Sequence, residues 1–361
     1  MRLAIIGSGI AGLVCAYLLH RQHELVLYES NDRIGGHTHT VEVPGGPWVD
    51  TGFIVFNREN YPHFTRLLHE LGVTYRHTSM SFSAHCEQTG LEYSTASINH
   101  LFAQRRNLLR TSFCSLLRGI LRFNKQVAEG VEGITDDLTV EQFLLQHRYP
   151  ESFVKYFLYP ISTALWSCPR SKIESFPMRF IMEFYRHHGM HQLLDQPIWH
   201  VIEGGSHRYV EKLSAQFRTS IRVNSPVDHV IRETERVVIH AQGRQESFDE
   251  VIFACHSDQA LRLLGDGVRP SEREVLGAFP YSSNDVTLHT DTSILPTNRR
   301  AWAAWNSRIE KTPSTSSKVS YNMNILQSLQ SEKTFCVSLN QDDNINDSSV
   351  VKRMVYEHPL F

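Results

Sequence analysis

The stretch Arg2-Leu3-Ala4-Ile5-Ile6-Gly7-Ser8-Gly9-Ile10-Ala11-Gly12-Leu13, followed by Glu24-Leu25-Val26-Leu27-Tyr28-Glu29, decides the fold. Arg2 to Ile6 is a short, apolar, β-rich run of the kind that forms a buried parallel strand. A Gly-x-Gly-x-x-Gly turn follows, Leu13 to Arg21 reads as a helix, and Glu24 to Tyr28 reads as a second strand. In that setting each glycine has a task. Gly7 permits the tight turn, Gly9 lets the backbone approach a pyrophosphate, and Gly12 lets helix and strand pack closely. The helix N-terminus offers N–H groups and a partial positive charge to phosphates. Glu29, at the tip of the second strand, stands about 20 residues beyond the motif, where an acid accepts hydrogen bonds from ribose hydroxyls and disfavours a 2′-phosphate.

The rest of the composition is consistent with an ordinary globular chain. Its 361 residues suggest two domains at the usual ~100–200 residues each. Hydrophobic residues make up 41% and charged residues 20%, so a sizeable core is expected rather than disorder. A formal net charge of −2 gives no global attraction to nucleic acid. Cys15, Cys86, Cys114, Cys168, Cys255 and Cys336 form no CxxC pair and read as scattered thiols, which fits a reducing cytoplasm. The apolar run after Arg2 has the outline of a secretory signal, but the glycine spacing argues for the nucleotide turn instead. No run of about 18 apolar residues occurs elsewhere.

Beyond the second strand lies a Gly-rich loop, Asn31 to Thr40, then a hairpin turned by Gly45 and Gly46. Helices are expected over Tyr61–Leu71, Leu101–Val127, Thr139–His147 and Glu151–Leu165. His200 to Phe217 reads as strand, Gly204–Gly205 turn and helix. Strands are expected within Ile221–Ile239 and Ser247–Ala254, and a Ser/Thr-rich loop over Thr312–Lys318. Nucleotide-domain signals thus return near 220–260 after a helix-rich insert. The expected architecture is α/β: a Rossmann-like domain over 1–75 and 201–265, interleaved with a helix-rich, mixed-sheet second domain over 76–200 and 266–361.

Glu29-Ser30-Asn31-Asp32-Arg33-Ile34-Gly35-Gly36-His37-Thr38 and Asp50-Thr51-Gly52-Phe53 resemble segments of the FAD-dependent amine oxidase and phytoene desaturase superfamily. The resemblance extends to a bacterial amine-oxidase-like subgroup through GGHTHTVEV, DTGFIVFN, the HGMHQLL and PIWHVIEGGSHRYV stretches, and DEVIFACHSDQAL. It implies non-covalent FAD. It implies a pyrophosphate on the Gly7, Ser8, Gly9, Ile10, Ala11 and Gly12 turn, with Glu29 and Ser30 at the adenosine ribose. Arg33, Gly35, Gly36, His37 and Thr38 would line the path to the flavin, with Gly52 and Phe53 near the ring and Val227 at the adenine. Glycines suit that path because a planar cofactor needs backbone against it. His37 and His39 would flank the ring, either moving a proton or only positioning the cofactor. The Arg33–His37 loop disfavours an NAD-only dehydrogenase.

The resemblance also has a gap. The superfamily closes with a Gly-rich strand–helix unit at the flavin pyrimidine edge, whereas here no glycine follows Gly277 and the chain ends Tyr356-Glu357-His358-Pro359-Leu360-Phe361. This implies a chain shortened or degenerate relative to the family, with flavin affinity, activity or solubility impaired.

Two further features carry expectations. Tyr93 to Ala128 holds no acidic residue, and Arg105, Arg106, Arg110, Arg118, Arg122 and Lys125 interleave with Leu108, Leu109, Phe113, Leu116, Leu117, Ile120 and Leu121. This basic 101–127 helix is either an ordinary helix with a solvated basic face or a peripheral contact to the inner face of a membrane. Glu183, His187 and His191 fall at i, i+4 and i+8, beside His188; polar packing or lining of a site is favoured there over metal. The functional expectation is an FAD-dependent oxidoreductase taking a hydride from a C–H bond of an amine or lipid-like small molecule. A non-catalytic FAD-fold scaffold or fragment is the alternative. No catalytic residue and no metal ligand is assigned.

Overall fold

The computed structural model describes residues 1–192, 196–311 and 318–360. Residues 312–317 of the expected Ser/Thr-rich loop lie outside them. Its centre is a parallel sheet. Strand β1 (Arg2–Ile6) pairs with β2 (Glu24–Tyr28) on one side and with Glu250–Phe253 on the other, and Ile221–Arg222 extends the sheet beyond β2. The sequence-distant strands are therefore neighbours of the first one, as the returning nucleotide-type pattern predicts.

Alternation along β1 and β2 sends side chains to two different cores. Leu3, Ile5, Leu25 and Leu27 face helix α1 (Ile10–Leu19) and the helix His207–Ser214, meeting Leu13, Ala16, Tyr209 and Leu213. Ala4, Ile6, Val26 and Tyr28 face a three-stranded antiparallel sheet over residues 227–248, meeting Val230, Ile239 and Phe248. With both faces covered, each strand can be nearly all apolar.

The second lobe is a seven-stranded mixed sheet running in the order Val350–Pro359, Tyr281–His289, Cys336–Leu339, Val319–Asn322, Trp305–Ile309, Phe82–Cys86, Leu91–Ser94. Helices cover one part of it. Thr111–Glu129 buries Phe113, Leu116, Phe123 and Val127 against Phe153 and Tyr185.

The single helix expected over 101–127 is corrected by the structure. A short helix, Ile98–Leu101, and a 3-10 turn, Arg105–Leu109, precede the helix Thr111–Glu129. The break has a local cause. The Gln104 amide donates to the Gly90 carbonyl at 2.8 Å and the buried Asn107 amide donates to the Glu92 carbonyl at 3.2 Å, pinning this segment to a hairpin. Leu108 and Leu109 are consequently 55% and 90% exposed instead of sharing the buried face of Phe113 and Leu116. The histidine row is also broken. The helix Met178–His187 ends at His188, and Gly189 has φ +62°, so His191 does not continue the face of Glu183 and His187. No group of three metal-ligating side chains forms among the described residues.

The lobes are tied at one carboxylate. Asp50 ends the hairpin strand Trp48–Asp50 and is fully buried. It accepts from Thr40 Oγ1 at 2.5 Å, from the Ser206 backbone N–H at 2.9 Å, from Ser206 Oγ at 3.0 Å and from Gln327 Nε2 at 2.9 Å. Burial pushes its pKa up from 3.8 to about 6, against the pull of the Thr40 and Ser206 hydrogen bonds. The folded chain therefore keeps this proton at pH values where the unfolded chain has lost it. The Asp50 contribution is fully present below pH 3.8 and is lost as pH rises through about 6. At ~1.4 kcal/mol per unit this amounts to roughly 3 kcal/mol. Urea unfolding at pH 4 and pH 6.5 should show wild type losing stability relative to the non-titrating Asp50→Asn by up to that amount. An identical gap at both pH values would refute the assignment.

Candidate functional site

At the carboxyl edge of the parallel sheet lies a cleft of about 830 Å3. Ligands of open α/β sheets bind at this edge. Its floor is the β1–α1 turn. Gly7 N–H donates to the Tyr28 carbonyl at 2.9 Å, and Ser8 donates to Glu29 from its backbone N–H at 3.0 Å and from its hydroxyl at 2.5 Å. A Cβ on Gly12 would lie 1.9 Å from the Gly7 carbonyl oxygen, so helix and strand could not approach as they do. Gly9 differs: a Cβ there would meet nothing within 4 Å and would project into open space. The helix starts at Ile10 with no side-chain cap and no acidic residue in its first turn. Its positive end is therefore left for a ligand.

Glu29 stands at one end of the cleft. Besides Ser8 it accepts from the Asn31 backbone N–H at 2.9 Å and from Asn31 Nδ2 at 2.8 Å. Burial opposes its charge, but the hydrogen bonds from Ser8 and Asn31 prevail and hold its pKa below the ordinary range. Ser30 and Val227 line the same end.

The Gly-rich loop forms one wall. Gly35 N–H donates to the Ser8 carbonyl at 2.9 Å, and Arg33 Nη1 donates to the Gly36 carbonyl at 2.9 Å. Gly36 sits against Gly9, where a Cβ would lie 2.9 Å from the Gly9 Cα. Thr38 lines the wall with its hydroxyl bonded to the Tyr209 hydroxyl. At the far end the His37 ring stacks between those of His256 and His358, with centroids 5.7 and 5.5 Å away, and His256 stacks on Tyr281 at 4.6 Å. Burial, then the charges of His256 and Arg33, lower the His37 pKa, and burial brings His358 to about 4.

Of the residues expected at a cofactor, Gly7, Ser8, Gly9, Ile10, Ala11, Glu29, Ser30, Arg33, Gly35, Gly36, His37, Thr38, Phe53 and Val227 line this one cleft. Gly12 and Gly52 do not line it. Gly12 packs against the turn, and Gly52 packs behind His37, whose carbonyl oxygen a Cβ would approach to 1.9 Å. His39 is buried outside the cleft, with Nδ1 2.7 Å from the Tyr356 hydroxyl; burial, then Arg33 and Lys352, push its pKa down to about 3. The sequence reading missed His256, Gln259 and Arg262, which follow the strand Glu250–Phe253, and Tyr356 and Glu357. The first three were findable, because the loop after any strand of a parallel sheet opens on this edge.

The cleft volume falls within the about 300–1,000 Å3 usual for cofactor sites. A backbone cradle at Gly9, an ionised acid at one end and flat rings at the other suit a dinucleotide. The family model for flavin containing amine oxidoreductase matches residues 10–331. The chain belongs to that family.

Membership in the flavin containing amine oxidoreductases implies FAD as the cofactor and places the chain in an oxidoreductase family. It is 39% identical over 74 residues to the 15-cis-phytoene desaturase of Synechococcus elongatus, a match covering 20% of this chain and 15% of that one. Its fold is that of cyclohexylamine oxidase from Brevibacterium oxydans, with TM-score 0.66 and 15% identity over 99% of this chain and 84% of that one. A conjugated linoleic acid-producing fatty acid isomerase from P. acnes is similar at TM-score 0.63 and 15% identity, over 99% and 86%.

Gly9→Val should separate folding from binding. The added side chain enters open space, so the melting temperature should stay within a few degrees of wild type while bound flavin is lost. Unchanged flavin content would remove the phosphates from this turn.

Proposed function

We propose that this chain holds FAD along the cleft and oxidises a C–H bond of a small amine or lipid-like molecule, the flavin accepting the hydride. The observation that carries this reading is the joining of the Gly9 cradle, the Glu29 tip and the Gly35–His37 wall in one continuous cavity. In it the Gly9–Ala11 backbone meets the pyrophosphate, Glu29 holds the ribose, and Val227 borders the adenine. The backbone of Gly35 and Gly36 leaves room for the planar part of the cofactor, and His37 bounds it. FAD supplies the electron acceptor; the chain orients the substrate and excludes water. Purified protein should be yellow, with flavin absorption that bleaches under dithionite. Colourless protein that FAD cannot reconstitute would instead support the non-catalytic alternative.

A lipid-like substrate is favoured by one surface feature. Ile98, Leu108 and Leu109 are 79%, 55% and 90% exposed on the segment that carries Arg105, Arg106 and Arg110. Exposed apolar side chains among arginines suit a peripheral seat on anionic lipid, and no described helix is long and apolar enough to cross a membrane. Co-sedimentation with anionic vesicles should fall several-fold in Leu109→Ser/Arg110→Glu. A wild type that ignores such vesicles would end the membrane reading and leave the oxidoreductase reading intact.

A further inference from the structure

The helix Pro62–Glu70 stands between two cavities. Tyr61 at its start and Phe64 line the dinucleotide cleft, whereas Pro62, Thr65, Arg66 and His69 line a separate cavity of about 660 Å3. The opposite wall is the three-stranded sheet of Val55–Asn57, Trp199–Ile202 and Tyr75–Thr78, through Asn57, His200 and His77.

The lining is rich in cationic and imidazole groups. Arg58, Arg66, His69, His77 and His200 face it, with Glu59 as the acid. Arg66 is paired with Glu70 at 3.3 Å, and His69 Nε2 lies 3.2 Å from the Tyr75 hydroxyl. Arg58 makes no ion pair among the described residues. The His77 and His200 rings meet edge to face with centroids 5.0 Å apart. Asn57 and His200 are only 1% and 5% exposed, and Asn57 Nδ2 has no hydrogen-bond partner.

We propose that this cavity binds a small organic oxyanion, a phosphate or carboxylate held by Arg58, His77 and His200. Guanidinium and imidazolium donors form the strong charge-assisted bonds such heads require. The apolar part of the ligand lies on Ile198, which is 58% exposed, and on Pro62. Burial, then His77 and Arg58, lower the His200 pKa, and a bound anion reverses the effect of those two neighbours. The other charged or titratable groups around His200 are Tyr75 on the adjacent strand, Glu59 in the loop, and Arg66 and His69 on the helix. A carboxylate, whose own charge is the same at pH 6 and pH 8, is therefore bound more tightly at pH 6, where His200 is nearer to taking up a proton.

Histidine imidazole NMR of the purified protein, titrated with butyl phosphate, butyrate and inorganic phosphate at pH 6 and pH 8, tests this. Saturable shifts of the His77 and His200 signals are expected, weaker at pH 8 for butyrate, and the tighter alkyl anion identifies the head group. Arg58 is exposed, so Arg58→Gln should fold normally, keep its flavin content and weaken binding at least tenfold. That readout is independent of the flavin cleft. The absence of a saturable shift with all three anions, or Arg58→Gln binding like wild type, would overturn the inference.

Discussion

A buried carboxylate sets the geometry on which the cleft depends. Asp50 takes hydrogen bonds from Thr40, Ser206 and Gln327, the last two lying 156 and 277 residues away in sequence. Each partner anchors a different wall. Thr40 fixes the hairpin behind His37. Ser206 fixes the start of the helix that carries Tyr209 into the cleft. Gln327 also accepts from the Asp50 backbone N–H at 2.9 Å, so the second lobe is clamped at both the main chain and the side chain. A carboxyl group without water is costly unless its lone pairs are met. Here they are met only when all three segments are in place, which makes the contact a test of correct assembly and not merely a source of stability.

The parallel sheet was legible in sequence because its physics is local. A fully buried strand must be apolar throughout, a close strand–helix approach must have no Cβ, and both demands fall on consecutive residues from Arg2 to Leu13. The partner strand Glu250–Phe253 was legible for the same reason. The break between Leu101 and Thr111 was not. Apolar and basic residues there keep helical spacing, and what overrides it is a pair of amide hydrogen bonds to a hairpin more than ten residues upstream. Tertiary contacts that cancel a local period leave no mark in that period.

The candidate site divides in the same way. Glycines and Glu29 announce themselves through spacing. Gly52 was placed near the ring by the resemblance of Asp50-Thr51-Gly52-Phe53, but it serves the backbone crossing at His37, where a Cβ would lie 1.9 Å from the carbonyl oxygen. Conversely, Tyr356 reaches the cleft only through folding of a strand hundreds of residues away. Pattern reading finds residues that make a turn possible and misses those that the turn later meets.

Similarity in fold does not choose a substrate, since the same architecture serves a cyclohexylamine oxidase and a fatty acid isomerase at equally low identity. The polarity of the cleft constrains the cofactor more tightly. Glu29, held below the ordinary carboxylate range by Ser8 and Asn31, puts negative charge at the tip of β2, which disfavours a phosphate there. Beyond Gly36 the character changes: His37 and His256 line the cleft with parallel rings, and burial lowers the His37 pKa. A buried imidazole with a lowered pKa brings little positive charge to attract a second phosphate. An acid at the tip of β2 and an uncapped helix N-terminus beside it accord with the FAD that family membership gives the chain.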